Sequence, residues 1–396
     1  MHSRSYEVSL KELLYYGAWI LFSIVYVLYQ QSEFIYYKHA TFIYKYTSYA
    51  VILLLCSCIL VDLQFRIKEL YIYGVLVILI GLVYLNRSNR TFFVYMLFIL
   101  AFKAVKSDLK RLVRLDIKLK IALILFVLLM CSIGVIDDYS SVWGNGIIKH
   151  SYGFYHPNTL GILCFAILAE WLYLRYQKMK FYEWITIFLV AYLMYRIAAS
   201  RTAAYTFFVI YLLYVFAKKW PEIFKAKIVK RTLVALLPVF ITLSWLAMIL
   251  YINGNAIAQV INSFTTQRLR YAAKFYLEYG ISIFGKNVEF VSSRAAQLQG
   301  ISSEILDMAY IRGPILFGIV FSIFIFLGYM VLLKNCLDIE IDENSNESLN
   351  IGLAIFVIYY VILGLGENYL LNPIYCVPML LIPNAFVEFG KKNIKQ

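Results

Sequence analysis

Residues 218–280 read KKWPEIFKAKIVKRTLVALLPVFITLSWLAMILYINGNAIAQVINSFTTQRLRYAAKFYLEYG. A basic connection runs into an apolar stretch, 231–252, which then opens into polar sequence. A helix needs about 20 apolar residues to cross the hydrocarbon of a bilayer. Lys and Arg gather in the cytoplasmic connections of membrane proteins. The segment therefore predicts a helix that leaves the cytoplasm near Arg231 and emerges on the other side near Asn253. The polar sequence beyond it, 253–309, is the one long polar connection on that far side. It carries Arg268, Arg270, Lys274, Lys286 and Arg294 against Glu278, Glu289, Glu304 and Asp307. Arginines on the face opposite the cytoplasm point to an anionic ligand, most simply the phosphate of a lipid carrier.

The same grammar repeats outward from this segment. About twelve apolar spans are predicted, centred on 13–30, 43–61, 70–85, 91–105, 119–137, 159–176, 181–197, 202–217, 231–252, 310–333, 350–366 and 369–389. Their connections alternate in charge. One side receives Arg4 and Lys11, then Arg66 and Lys68, then the run 103–120, then 175–180, 218–231, Lys334 and the tail KKNIKQ. These hold 24 of the 37 Lys and Arg. By the positive-inside rule both termini are cytoplasmic, and an even number of spans agrees. The connections 138–158, 196–201, 253–309 and 366–369 then face outward. The expected architecture is all-α: one polytopic membrane domain over 1–396, with 253–309 as its main extracytoplasmic loop, carrying a short helix.

Composition supports this class. The chain is 62% hydrophobic, 18% aromatic and 15% charged, with mean hydropathy +0.73. The net charge of +14 does not point to nucleic acid, because the basic clusters sit between apolar spans and match an anionic inner leaflet. Six cysteines fall mostly within spans, without disulfide or zinc spacing. Residues 13–30 read as a retained first span rather than a cleaved leader, since no small-residue cleavage site follows. No Gly-rich phosphate loop ending in Lys-Ser/Thr is present, so no ATP motor is indicated. The acidic run 338–348, with Asp338, Glu340 and Asp342, reads as a solvated cytoplasmic loop. No cofactor and no metal cluster are expected.

Chemistry concentrates in the outer connections. In GFYHPNTLG, 153–161, Pro157 and Asn158 break the chain before the sixth span and set His156 near the membrane surface. His156 can serve as base or hydrogen-bond donor, or simply belong to a capped turn. In RIAASRTAAY, 196–205, Arg196 and Arg201 flank a very short turn, with Ser200 and Thr202 beside them. Arginine there either meets an anion or snorkels. In the long loop a helix capped by Thr265 or Thr266 and ended by Gly280 puts Arg270, Lys274 and Glu278 on one solvated face. Arg268 falls on the other, aromatic face with Tyr271, Ala272, Phe275 and Tyr279. In SSEILDMAYIRG, 302–313, Glu304 or Asp307 can orient or deprotonate a sugar hydroxyl, or pair with Arg312 or Arg294. Tyr310 and Arg312 open the tenth span, and Glu367 sits in the last outer turn.

These residues carry a resemblance. The order F-x-H-P-N-T-L-G, then S-R-T-A, then Arg268 with an aromatic helix and FG at 284–285, then D-x-x-Y before an apolar span, resembles the O-antigen and capsular polysaccharide polymerase family and the related O-antigen ligases. It covers about 85 to 385. It implies an enzyme that joins polyprenyl-pyrophosphate-linked oligosaccharide repeat units outside the cytoplasmic membrane, in capsule, exopolysaccharide or O-antigen synthesis. By motif, His156, Asn158, Arg201 and Arg268 match positions in or near that site. Where family ligases carry a His-Asn pair, this chain reads Asp307-Met308-Ala309-Tyr310, which favours the polymerase reading. The implied partners are the lipid-linked glycan, membrane lipid, a flippase and a chain-length regulator. The competing expectation is a flippase, which carries polar groups near mid-span more often than these apolar runs do.

Overall fold

The computed structural model describes residues 9–61, 67–87, 90–105, 108–142, 148–301, 303–338 and 347–387. Among them are fifteen α-helices: α1 Leu10–Gln30, α2 Ala40–Leu60, α3 Ile67–Arg87, α4 Arg90–Val105, α5 Leu109–Ser132, α6 Pro157–Arg175, α7 Phe181–Ala198, α8 Arg201–Lys219, α9 Lys227–Ile252, α10 Ala256–Phe264, α11 Arg268–Tyr279, α12 Ser293–Gln299, α13 Ala309–Leu316, α14 Ile319–Leu337 and α15 Glu347–Leu363. One antiparallel hairpin, β1 Ser140–Val142 with β2 Ile148–His150, is the only sheet among the described residues.

Six helices, α1, α2, α6, α7, α9 and α14, are long and apolar enough to cross a membrane. Burial divides them. α6 packs against α5, α7, α8 and α15 and keeps Leu163, Phe165, Ala169 and Leu172 within the core. α7 instead exposes Phe181, Ile185, Phe188, Leu189 and Leu193 along its length. A continuous apolar face of that size on an outer helix is at home in lipid, not water. The described residues are almost wholly helical, with the apolar helices expected of a membrane protein.

Local signals set the helix ends. Ser9 and Glu12 form a reciprocal capping box at α1. Asp108 caps α5 through the Lys110 amide, 3.0 Å. Gly280, with φ +63°, closes α11 as expected. Its start differs from expectation: Gln267, with φ +66°, precedes the first turn, not Thr265 or Thr266.

Four sequence expectations are corrected. The span 310–333 is not one helix. It breaks at Phe317–Gly318 into α13 and α14, and the long polar segment 253–309 fills the break. Lys286 N–H donates to Leu316 O (3.2 Å), while Ile319 and Val320 N–H donate to Ser282 O and Ile283 O (3.0 and 3.3 Å). Gly285 and Gly318 make this possible: both have positive φ, and a Cβ on either would lie within 2.4 Å of backbone. Broken backbone inside a bundle persists only when its polar groups find protein partners.

The expected last span, 369–389, is irregular. It holds 3-10 turns at Asn368–Leu371 and Val377–Leu381, the second running on as helix to Val387, with Leu370, Tyr375, Val377 and Leu380 fully buried. Its carbonyls are met by tyrosine hydroxyls: Tyr329 donates to Leu370 O (2.7 Å) and Tyr360 to Tyr375 O. The run 103–120 is not a solvated connection throughout, because α5 begins at Leu109 and takes Asp116 and Lys120 into the core. The long polar segment 253–309 holds three helices, α10 to α12, rather than one. Of the acidic run 338–348, Asp338 lies 4.0 Å from Lys230, while Glu340 and Asp342 lie outside the described residues.

Candidate functional site

One end of the bundle is covered by a cap drawn from distant parts of the chain. Glu33 N–H donates to Gly153 O (3.0 Å), and Tyr155 N–H to Gln31 O (3.0 Å), so the turn after α1 holds the segment before α6. Arg294, from α12, reaches Glu33 (3.4 Å) and Asp137 (3.2 Å) and ties the long loop to the same place. Asp138 receives the Tyr152 N–H (2.8 Å) and pairs with His150 Nδ1 (2.6 Å), which fixes the hairpin. Gly161 allows α6 to press on the α7–α8 turn; a Cβ there would meet Ser200 Cβ at 2.5 Å.

Beneath the cap lies a cavity of about 260 Å³, and Tyr155, His156, Asn158, Asp307, Arg312 and Glu367 are among its lining residues. This is near the low end of small-molecule pockets, which run from about 300 Å³ upward. His156 is the N-cap of α6, and Pro157 takes the first helical position. The Asn158 N–H donates to His156 Nδ1 at 3.1 Å. That bond occupies the Nδ1 lone pair, so the neutral ring carries its proton on Nε2. Burial pushes the imidazole below its usual value, against the pull of Asp307. His156 is therefore a neutral donor by geometry, more than a base. Asn158 Oδ1 is buried with no hydrogen-bond partner.

The charged wall is built from three elements. Arg268 opens α11 and is 14% exposed. It donates from Nη1 to Thr202 Oγ1 (2.8 Å) and from Nη2 to Glu367 Oε1 (2.5 Å). Its Nε lies 4.0 Å from Asp307 Oδ2. It thus braces two cavity carboxylates from behind. Gly366 clears its way, since a Cβ there would stand 2.8 Å from Arg268 Nη1. Burial pushes the Glu367 carboxyl up to about 7; Arg268 pulls it down and Asp307 pushes it further up. Arg312 is the arginine of the cavity lining. Its guanidinium lies 4.4 Å from the Phe290 ring centroid and donates to Leu306 O (2.6 Å).

The structure sorts the sequence candidates. His156, Asn158, Asp307, Arg312 and Glu367 come together at the cavity, with Arg268 behind them. Arg201 is exposed at the start of α8 and within electrostatic range of Lys149. Arg196 is exposed and donates to Tyr192 OH (3.4 Å), one turn back on α7. Arg270 is exposed beside the Tyr271 ring. With Lys274 and Glu278 it lines a wide open cleft between α9, α10 and α11, as the solvated-face reading expects. Glu304 pairs with Lys274 at the surface. Tyr310 is a core residue, fully buried, whose hydroxyl donates to Val361 O.

Lys149 was missed. It lies on β2, is 6% exposed and donates to Ala199 O (2.7 Å). Burial lowers it to about 8, helped by Arg201 and Arg268 and opposed by Glu367. The sequence does carry a signal for it: a lysine in a connection that the charge pattern assigns to the outer side breaks that pattern as much as the loop arginines do. No group of His, Cys, Asp and Glu suited to a metal ion occurs among the described residues. No family model matches the chain, and no curated protein or solved structure shows significant similarity to it.

Proposed function

We propose that the protein is a polysaccharide polymerase, joining lipid-pyrophosphate-linked repeat units on the outer face of the cytoplasmic membrane. The observation that carries this reading is the convergence on one cavity of Asp307, Glu367, Arg312, His156 and the unpartnered Asn158 Oδ1. A buried acceptor without a partner suits a sugar hydroxyl. A carboxylate near pH 7 suits proton removal from an acceptor hydroxyl. Fixed guanidinium and imidazole donors suit the charge that grows on a departing pyrophosphate.

In this mechanism the acceptor hydroxyl enters against Glu367 and Asp307. Arg268 holds Glu367 in place through its second donor to Thr202. The acceptor oxygen attacks the donor's anomeric carbon, the bond to the lipid pyrophosphate breaks, and the proton passes to Glu367. Arg312 and His156 Nε2–H face the leaving oxygens. The donor already contains a good leaving group, so neither nucleotide sugar nor ATP is consumed. The basic residues that the sequence gathers in the other set of connections support an outward-facing cap. Fusions after residues 199 and 285 report outside under this reading, and one after 225 reports inside.

The decisive experiment gives purified protein in liposomes only the lipid-linked repeat unit. A ladder of longer lipid-linked glycans is expected. One observation favours a second reading, a flippase for the same lipid: Asp116, Lys120 and Glu170 are ionisable groups buried within the bundle, as in ion-coupled transporters. Cells lacking the protein separate the two. Repeat units stranded on the outer face support a polymerase, and units held on the inner face, with no ladder in vitro, support a flippase.

A further inference from the structure

Three helices bury an ionic cluster that takes no part in lining the cap cavity. Lys120 of α5 is 3% exposed in its side chain, Asp116 one turn earlier 1%, and Glu170 of α6 0%. Lys120 Nζ lies 2.5 Å from Asp116 Oδ2 and also donates to Glu170 Oε1. Trp19 of α1 donates its indole N–H to Asp116 Oδ1 at 2.9 Å. One ammonium therefore faces two carboxyl groups. With both ionised, the cluster carries a net negative charge on fully buried side chains, which costs several kcal/mol.

The hydrogen-bond accounting identifies what is missing. Glu170 Oε2 and Asp116 Oδ2 are both buried without a hydrogen-bond partner, the second touching Lys120 only as an ion contact. The two carboxyls are neighbours across the one ammonium, which touches Asp116 Oδ2 and Glu170 Oε1 at once. Two acceptors cannot satisfy one another, but a carboxylic acid and a carboxylate can. A single proton closes both vacancies and brings the cluster to neutrality. Asp116 already receives the indole N–H and faces the ammonium, so it is the better-stabilised anion. Glu170 has only the ammonium.

We infer that the bundle holds an intramembrane proton site at Glu170: a carboxylic acid whose Oε2–H donates to Asp116 Oδ2, beside a Lys120–Asp116 ion pair. The groups facing it are Tyr359 and Tyr360 of α15, Tyr15 of α1 near Asp116 and Cys376 near Lys120. Tyr360 is committed to Tyr375 O. The Tyr359 hydroxyl is buried and unpartnered and within electrostatic range of both Glu170 and Glu367. The inference stands under either functional reading.

Gln is the test residue, because its amide keeps an acceptor for Lys120 and a donor for Asp116. Glu170→Gln is expected to insert and melt within about 2 °C of wild type, whereas Asp116→Asn melts more than about 5 °C lower. Infrared spectra are recorded on purified Glu367→Gln protein at pH 7, because the Glu367 carboxyl is itself partly protonated there; they are expected to show a protonated-carboxyl carbonyl band that adding Glu170→Gln removes. The proposal is overturned if Glu170→Gln fails to fold or loses as much stability as Asp116→Asn. It is equally overturned if the Glu367→Gln protein lacks the band, or if the band persists when Glu170→Gln is added.

Discussion

The molecule contains two clusters of the same chemistry in opposite settings. At the cap, Arg268 meets Glu367, Asp307 and Thr202 beside a cavity. Within the bundle, Lys120 meets Asp116 and Glu170, with Trp19 closing the cluster. The bundle cluster is sealed on all sides by packed helices. The cap cluster leaves Asp307 32% exposed and Asn158 Oδ1 without a partner. Charge that is closed and neutralised stabilises one arrangement of helices, while charge left open to a cavity is available to a ligand. The two clusters should answer mutation differently, in fold at one and in function at the other.

The largest expected effect lies in the bundle. Lys120→Met strips the counter-charge from Asp116 and is expected to cost about 3–5 kcal/mol of stability, read by thermal unfolding in detergent. Arg268→Lys keeps a charge next to Glu367 and should fold nearly as wild type. If Arg268→Lys unfolds the protein while Lys120→Met leaves it intact, the contrast between the clusters is inverted.

Next in size is the loss of a charge donor at the cavity. Arg312→Ala is expected to lower polymer formation about 100-fold. Arg312→Lys should lower it also, since a point charge lacks the planar fork and the stack on Phe290. Insertion of both variants is checked by expression level. An active Arg312→Ala removes this residue from the mechanism.

Acidity gives a finer test. With Glu367 at about 7, activity should rise as pH increases through 7, because the base must be ionised. Glu367→Gln is expected to abolish that limb along with most of the activity. Arg268→Ala removes the group that lowers Glu367, so the surviving limb should move to higher pH. The stability sign runs the other way. A carboxyl raised from 4.5 to about 7 contributes stability that is fully present below pH 4.5 and lost as pH rises through 7. Lys149, lowered from 10.5 to about 8, adds stability as pH rises from 8 toward 10.5. A rate profile that is flat from pH 6 to 8 would remove Glu367 as the base.

The smallest effect tests how the wall is held. Gly366→Ala puts a methyl group 2.8 Å from Arg268 Nη1 and 3.1 Å from Thr202 Cγ2. The guanidinium must shift, and overpacking of this kind costs about 1–3 kcal/mol. Turnover is expected to drop several-fold with little change in expression. Unchanged turnover means that the Arg268–Thr202 bond does not position Glu367.

Sequence alone determined the class and most of the helices. Apolar runs of bilayer length and basic connections are local signals, so 43–61, 91–105, 181–197 and 231–252 match α2, α4, α7 and α9 closely. It also named His156, Asn158, Arg268, Asp307, Arg312 and Glu367 before any contact was known. What it could not supply was the set of partners. Arg268 and Glu367 are 99 residues apart, Lys120 and Glu170 are 50 apart, and no periodicity reports such pairs. The break at Gly318 looked apolar throughout, because hydropathy does not record which backbone groups a distant loop will satisfy. Asp116 and Lys120 read as connection for the same reason: a charge is legible in sequence, but its neutralisation is decided only when helices from three parts of the chain pack around it.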